Sequence, residues 1–320
     1  MKKILVIGGG AMGSAFTIPC IENKNKVTIT EPYSKNFIKE LSSKNKYHSS
    51  LQINLPKNLK FRKFSTNLLR EKFDLIVIAL SLSGIDFIGK QLKILKLKTP
   101  ILVLTKGLKY EKKNNKILTI SEQLKNNYNG ANISVLKGPC LAKELARKKQ
   151  TSVIIASKNI KISKWIGKMI STKYYIIEFS KDIIGVEVCS AIKNIYAMII
   201  GAGQSSNMSS SLFQKSLIEM KYLTKFFRGK EKTTLGLAGL GDLYVSVVGG
   251  RNSKMGSYLG KGFTFKSAKK KFMPKDTVEG EQLIREIAPF VLKKINKKNI
   301  PLMYNLIKSI LNNSKFNIKY

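Results

Sequence analysis

Two groups of residues in this 320-residue chain could do chemistry, and they stand far apart in sequence. The first is Gly8-Gly9-Gly10-Ala11-Met12-Gly13, a GxGxxG turn that follows the apolar run Ile4-Leu5-Val6-Ile7. In that pattern Gly8 permits a tight strand-to-helix turn, Gly10 lets a pyrophosphate approach the backbone, and Gly13 lets the helix pack on its strand. The helix N-terminus then turns unpaired N–H groups toward phosphate. A helical run from Ala11 to about Ile21 and a second strand, Val27-Thr28-Ile29-Thr30, ending at Glu31, complete the context for dinucleotide binding. An acidic residue at that strand end accepts hydrogen bonds from ribose hydroxyls and repels a 2′-phosphate, which favours NAD over NADP. Lys35 and Lys39 oppose that preference.

The second group lies late in the chain. Lys193 sits within an apolar helical pattern, flanked by Ile192 and by Asn194-Ile195. A lysine there either snorkels to the surface or is held desolvated, and desolvation lowers its pKa toward the range of acid–base work. Asn194 adds an amide able to hold a substrate oxygen. The loop Gly236-Leu237-Ala238-Gly239-Leu240-Gly241-Asp242-Leu243 carries three glycines and one carboxylate, and Gly249-Gly250-Arg251-Asn252 presents a guanidinium suited to bidentate phosphate capture. Val278-Glu279-Gly280-Glu281 reads as the opening of a helix. Two earlier segments stand where strands end. Thr105-Lys106-Gly107 follows Ile101-Leu102-Val103-Leu104, and Gly138-Pro139-Cys140-Leu141-Ala142 follows Ile133-Ser134-Val135-Leu136 and opens a helix whose N–H groups could receive an anion. A surface lysine, a loop punctuated only for turning, and a plain proline-started helix are the competing readings.

The elements that must position these residues divide the chain. Short, uninterrupted apolar runs mark strands buried on both faces, hence a parallel sheet between helices. They include Leu75-Ile76-Val77-Ile78-Ala79, Ser152-Val153-Ile154-Ile155 and Tyr174-Tyr175-Ile176-Ile177, with a turn at Tyr128-Asn129-Gly130 before the strand at Ile133. From about Asp182 long helical patterns take over. The fold class is therefore α/β: an N-terminal Rossmann-type doubly wound sheet over 1–180, then an all-helical substrate-binding domain over 181–320, with substrate expected in the cleft between them.

Composition narrows the setting. Lys+Arg 58 against Asp+Glu 19 gives a net charge of +39, but the lysines are scattered in pairs and triplets such as Lys269-Lys270-Lys271, with no basic arm. That distribution describes a solvated surface and weak, salt-sensitive polyanion binding, with no specific nucleic-acid partner. No uncharged apolar stretch reaches the length of a membrane span. Met1-Lys2-Lys3 leads into the first strand and not into a cleavable leader, so a cytoplasmic location is expected. Cys20, Cys140 and Cys189 show no metal spacing, and His48 is the single histidine, so neither a metal site nor a histidine triad is expected.

From Met1 to about Glu281 the chain resembles the bacterial-type NAD(P)-dependent glycerol-3-phosphate dehydrogenases. The specific motifs are Ala191-Ile192-Lys193-Asn194, the glycine loop before Asp242, Arg251-Asn252 followed by Gly256, and Val278-Glu279-Gly280. The resemblance implies interconversion of dihydroxyacetone phosphate and sn-glycerol 3-phosphate with NAD(P)H, a supply of glycerophospholipid backbone, and a homodimer. It makes Lys193 the proton donor and acceptor at the substrate C2 oxygen, with Asp242 in the network around it. The substrate set becomes Lys106, Gly138, Cys140, Lys193, Asn194, Asp242, Gly250, Arg251 and Asn252. The cofactor set becomes Gly8, Gly10, Ala11, Met12, Gly13, Glu31, Lys106, Ala142, Arg251, Thr277 and Glu279. Departures are Cys140 and Gly250 where serine is usual, Lys137 in place of a small residue, Ser81 in place of proline, and a segment before Arg251 about two residues short. If Cys140 lies at a helix N-terminus among Lys106, Lys137 and Lys193, its thiol should be acidic and reactive. A related dehydrogenase of another small oxo or hydroxy acid, or a basic nucleic-acid-binding protein on a Rossmann scaffold, are the alternatives.

Overall fold

The structure, a computed structural model, describes residues 1–34, 46–95, 98–127 and 132–318; Lys35, Lys39 and the Tyr128-Asn129-Gly130 turn lie outside them. Its strands in chain order are β1 (Lys3–Ile7), β2 (Lys26–Thr30), β3 (Tyr47–His48), β4 (Ile53–Asn54), β5 (Lys60–Phe61), β6 (Leu75–Ile78), β7 (Ile101–Val103), β8 (Leu108–Glu111), β9 (Lys116–Thr119), β10 (Ile133–Lys137), β11 (Thr151–Ser157) and β12 (Tyr175–Ser180). Eight of them form one sheet in the order β12-β11-β10-β7-β6-β1-β2-β5. Reading from β5 through β2, β1, β6 and β7 to β10 reproduces the doubly wound order, whose direction reverses between β1 and β6.

Helices α1 (Ala11–Glu22), α2 (Thr66–Arg70), α3 (Leu82–Leu95), α4 (Ile120–Asn127), α5 (Ala142–Ala146) and α6 (Ile160–Ile170) accompany this sheet. The four central strands β1, β6, β7 and β10 are buried at almost every position, as strands covered on both faces must be. One expectation needs correcting: the sheet is not wholly parallel, because β11 runs antiparallel to β10. The outermost strand is also not buried on both faces, since Ile176 and Phe179 of β12 are exposed. Its apolar run reflects β-propensity at an edge, which the apolar run alone cannot tell from burial.

The remaining helices are α7 (Ile183–Gly201), α8 (Ser206–Phe226), α9 (Asp242–Gly249), α10 (Arg251–Gly260), α11 (Phe265–Phe272), α12 (Glu279–Lys294) and α13 (Pro301–Asn312). Helix α7 is long and apolar enough to cross a membrane, but 94% of the stretch is buried, so it is a core helix. The chain forms two compact units, Met1–Lys106 with Ile120–Ile183 and Gly107–Thr119 with Ile184–Tyr320. Nothing in the local sequence pattern places the hairpin β8–β9 in the second unit. It is fastened there by the Tyr110 N–H, which donates to Glu286 on α12 at 2.9 Å.

Within the second unit a buried carboxylate joins three helices. Glu219 on α8 accepts the N–H groups of Leu302 (2.7 Å) and Met303 (3.1 Å) at the start of α13, and the hydroxyl of Tyr196 on α7 (2.9 Å). Proline at the first position of α13 has no N–H, so the next two donors are the ones that need an acceptor. Burial raises the Glu219 pKa to about 7, with these three hydrogen bonds pulling the other way.

Candidate active site

In the first unit the glycine turn is built as its spacing predicts. Gly8 has φ +118°, and a Cβ there would stand 2.4 Å from the Ala79 carbonyl oxygen at the end of β6. A Cβ on Gly13 would stand 2.0 Å from the Gly8 oxygen. Gly10 differs, since a Cβ there meets nothing within 4 Å. The first and third glycines therefore serve the fold, whereas the second keeps open the space in front of α1, where a pyrophosphate would approach. Ala11 and Met12 open α1 half-buried. The Glu31 carboxylate accepts the Gly9 N–H at 2.8 Å and the Tyr33 N–H at 2.9 Å. It thus braces the turn from the end of β2. These residues fit a dinucleotide.

Lys106 follows β7 and is half-buried, next to a turn that two side-chain contacts hold in place. The Thr105 hydroxyl donates to the Leu80 carbonyl at 2.7 Å. Lys137, only 2% exposed, donates to the carbonyls of Val103 (3.1 Å) and Thr105 (2.7 Å). The residue that departs from the family pattern has therefore become a brace for the strand end that carries Lys106.

Cys140 lies between β10 and α5. It packs half-buried against the apolar cluster of the first unit, beside Tyr175. Burial pushes the Tyr175 phenol well above its ordinary range, with the neighbouring thiol as a further cause. The Lys137 ammonium donates to carbonyls, and α5, which Ala142 opens, has five residues. Gly138, with φ +124°, serves the turn out of β10.

The second unit assembles its site on α7. Glu187, Ser190, Lys193 and Asn194 recur at spacings of three and four, so they form a polar stripe on an otherwise apolar helix. Lys193 is 7% exposed, and its Nζ lies 2.8 Å from Asp242 Oδ1 and also donates to the Ser246 hydroxyl. Ser190 donates to the other Asp242 oxygen at 3.4 Å, and the Ser246 hydroxyl donates to the Asp242 carbonyl at 2.8 Å. Lys193 is therefore buried without being isolated. Attraction from Asp242 favours the charged ammonium and opposes the desolvation expected from the apolar pattern alone. A pi-helical turn over Leu237–Gly241 delivers Asp242 to the start of α9. Such turns recur at functional sites because they re-aim a side chain within one helical turn.

Gly250 is the single residue between α9 and α10, and a Cβ there would stand 2.2 Å from the Ser246 carbonyl oxygen, so the tight link accounts for glycine in place of serine. Helix α10 lies close on α7, since a Cβ on Gly256 would come 2.0 Å from the Met198 oxygen. Asn252 and Asn194 meet around Gly280, and Asn194 and Arg251 share the Glu279 carboxylate. Asn252 accepts the Gly280 N–H at 2.8 Å, Asn194 donates to Glu279 at 2.9 Å, and Arg251 reaches the other Glu279 oxygen at 3.4 Å with both side chains about half exposed. Thr277 is exposed just ahead of α12. Ser190 and Ser246 carry no motif of their own in the sequence, although Ser246 lies one helical turn from Asp242 and Ser190 one turn from Lys193.

Residues 3–163 match the family described as NAD-dependent glycerol-3-phosphate dehydrogenase N-terminus, and residues 182–318 match its C-terminus. The chain is 31% identical over 280 residues to "Glycerol-3-phosphate dehydrogenase [NAD(P)+]" of Clostridium botulinum (strain Alaska E43 / Type E3), covering 84% of this chain and 82% of that one. It is 30% identical over 322 residues to the protein of the same description from Phytoplasma australiense, covering 95% and 93%. The crystal structure of glycerol-3-phosphate dehydrogenase from Coxiella burnetii superposes with a TM-score of 0.86 at 26% identity, covering 98% of this chain and 96% of that one.

Proposed function

This chain belongs to the NAD-dependent glycerol-3-phosphate dehydrogenase family, and on that premise we propose how its own residues carry the family's reaction. The reaction is reversible oxidoreduction between dihydroxyacetone phosphate and sn-glycerol 3-phosphate with NAD or NADP. When bound, the nicotinamide supplies or accepts the hydride. Lys193 gives a proton to the C2 oxygen as the carbonyl is reduced and takes it back in the reverse direction. Asp242 and Ser246 fix its ammonium, and Ser190 fixes Asp242. The buried Lys193–Asp242 pair carries this reading, because withdrawing a lysine and a carboxylate from water costs folding energy and buried, paired ionisable groups concentrate at functional sites.

Arg251 takes the substrate phosphate. Its contact with Glu279 is long and half exposed, so exchanging that carboxylate for a phosphate dianion sacrifices an interaction worth at most about 1 kcal/mol. It gains a charge-assisted contact at the N-terminus of α10. Asn252, Asn194 and Lys106 orient the rest of the substrate. Gly8–Gly13 and Glu31 hold the dinucleotide, and Glu31 favours NAD. A homodimer and a cytoplasmic setting are part of the same reading.

The deciding experiment is NADH and NADPH oxidation by the purified protein with dihydroxyacetone phosphate, dihydroxyacetone or pyruvate. Turnover should require the phosphate, and kcat/KM should be higher with NADH. Comparable turnover of pyruvate would favour a different oxo acid as substrate, and equal or better kcat/KM with NADPH would remove the role given to Glu31.

A further inference from the structure

His48, the single histidine of the chain, has no part in the mechanism above, yet it is 5% exposed and lies against the glycine turn. It sits on the short β3–β4 hairpin, and its Nε2 lies 3.2 Å from the Gly9 carbonyl oxygen. Its other ring nitrogen settles the tautomer. Nδ1 faces the Leu51 N–H at 3.3 Å and must accept there, so Nε2 bears the hydrogen and donates to Gly9. The same oxygen also accepts the Ser14 hydroxyl at 2.9 Å, while the Gly9 N–H goes to Glu31 at 2.8 Å. Both polar groups of Gly9 are thereby fastened from three directions, by the start of α1, the end of β2 and a hairpin nearly forty residues downstream.

We propose that His48 is a positioning residue for the dinucleotide, holding the Gly9 carbonyl away from the space in front of Gly10 so that only N–H groups face the incoming pyrophosphate. A glycine-rich turn adopts many conformations when free, and a carbonyl turned outward would repel phosphate oxygens. Fixing that carbonyl beforehand lowers the ordering cost of binding, which appears as cofactor affinity. This inference rests on the reading that Gly8–Gly13 binds the dinucleotide.

The test measures NADH binding to the full-length enzyme by fluorescence titration, together with steady-state kinetics, in wild type, His48→Ala, His48→Gln and His48→Asn. Glutamine can place a donor where Nε2 stands, whereas asparagine reproduces only the Nδ1 acceptor. His48→Ala and His48→Asn should weaken NADH binding roughly tenfold and raise its KM in parallel, with kcat at saturating NADH and the KM for dihydroxyacetone phosphate within about twofold of wild type. His48→Gln should recover most of the affinity. If His48→Ala does not fold, the contrast between glutamine and asparagine still decides. Unchanged NADH affinity in His48→Ala, or equal loss in the glutamine and asparagine variants, would overturn the assignment while leaving the dinucleotide site intact. A wild-type enzyme that binds no NADH would overturn the dinucleotide reading first.

Discussion

The glycine turn and the lysine site solve opposite problems. At Gly8–Gly13 the surface proposed to face the dinucleotide is backbone, contiguous in sequence and shaped by the absence of side chains. Around Lys193 it is made of charged and polar side chains drawn from α7, α9, α10 and α12, with the central ion pair spanning 49 positions of sequence. The first fails when an atom is added, whereas the second fails when a charge is removed. The two kinds of damage should therefore appear in different measurements.

Lys193→Ala should have the largest effect. Loss of the proton donor should lower kcat roughly 100-fold to 10,000-fold. NADH binding to the first unit should survive, as fluorescence titration would show. Near-normal turnover would mean that the buried pair is architectural only.

Next in size is Arg251→Ala. Removing a charge-assisted phosphate contact should cost on the order of 1.5–3 kcal/mol in kcat/KM, mostly through KM for dihydroxyacetone phosphate. The half-exposed setting of Arg251 predicts an unchanged melting temperature. A loss confined to kcat would place Arg251 in proton or hydride transfer instead.

Glycine substitutions sharpen the other side. Gly8→Ala forces a Cβ toward the Ala79 carbonyl at a φ that L-residues avoid, so it should destabilise the fold by about 1–3 kcal/mol in denaturant titration. Gly10→Ala meets no protein atom, so its midpoint should match wild type while NADH affinity falls. If both variants lose stability equally, the division between a folding glycine and a binding glycine is wrong.

A pH dependence is expected from Glu219, a further buried carboxylate of the second unit. Glu219 titrates near 7 in the folded protein against 4.5 for the ordinary carboxyl. The folded state therefore holds this proton more tightly than the unfolded chain. Its contribution to stability is fully present below about pH 4.5 and is lost as pH rises through 7, by up to about 3 kcal/mol. Glu219→Gln should flatten the melting temperature between pH 4.5 and 8 relative to wild type. An unaltered pH slope in that variant would show that the three hydrogen bonds outweigh burial and keep Glu219 ionised.

The same contrast explains how much could be read in advance. The strands β1, β2, β6, β7 and β10, the turn at Gly8–Gly13 and helix α7 are legible because their signals are local: apolar runs, glycine spacing and helical period. Lys193, Asp242, Arg251 and Asn252 could be picked out as chemistry, and their company in one site followed from resemblance and not from spacing. The antiparallel β11, the exposed face of β12 and the transfer of the β8–β9 hairpin to the second unit were not legible, because strand direction and unit membership depend on pairings that no short window contains.

Local sequence by itself determined where backbone must bend, which stretches must be buried, and which side chains carry charge. Tertiary structure decided what each charge meets. It paired Lys193 with Asp242 and Ser246, sent the Lys137 ammonium to two carbonyls, packed Cys140 against an apolar cluster, and set His48 on the glycine turn. The physical reason is that a turn's conformation is fixed by sterics within a few residues, whereas a buried polar group takes its character from the partners that replace its water, and those arrive from distant parts of the chain.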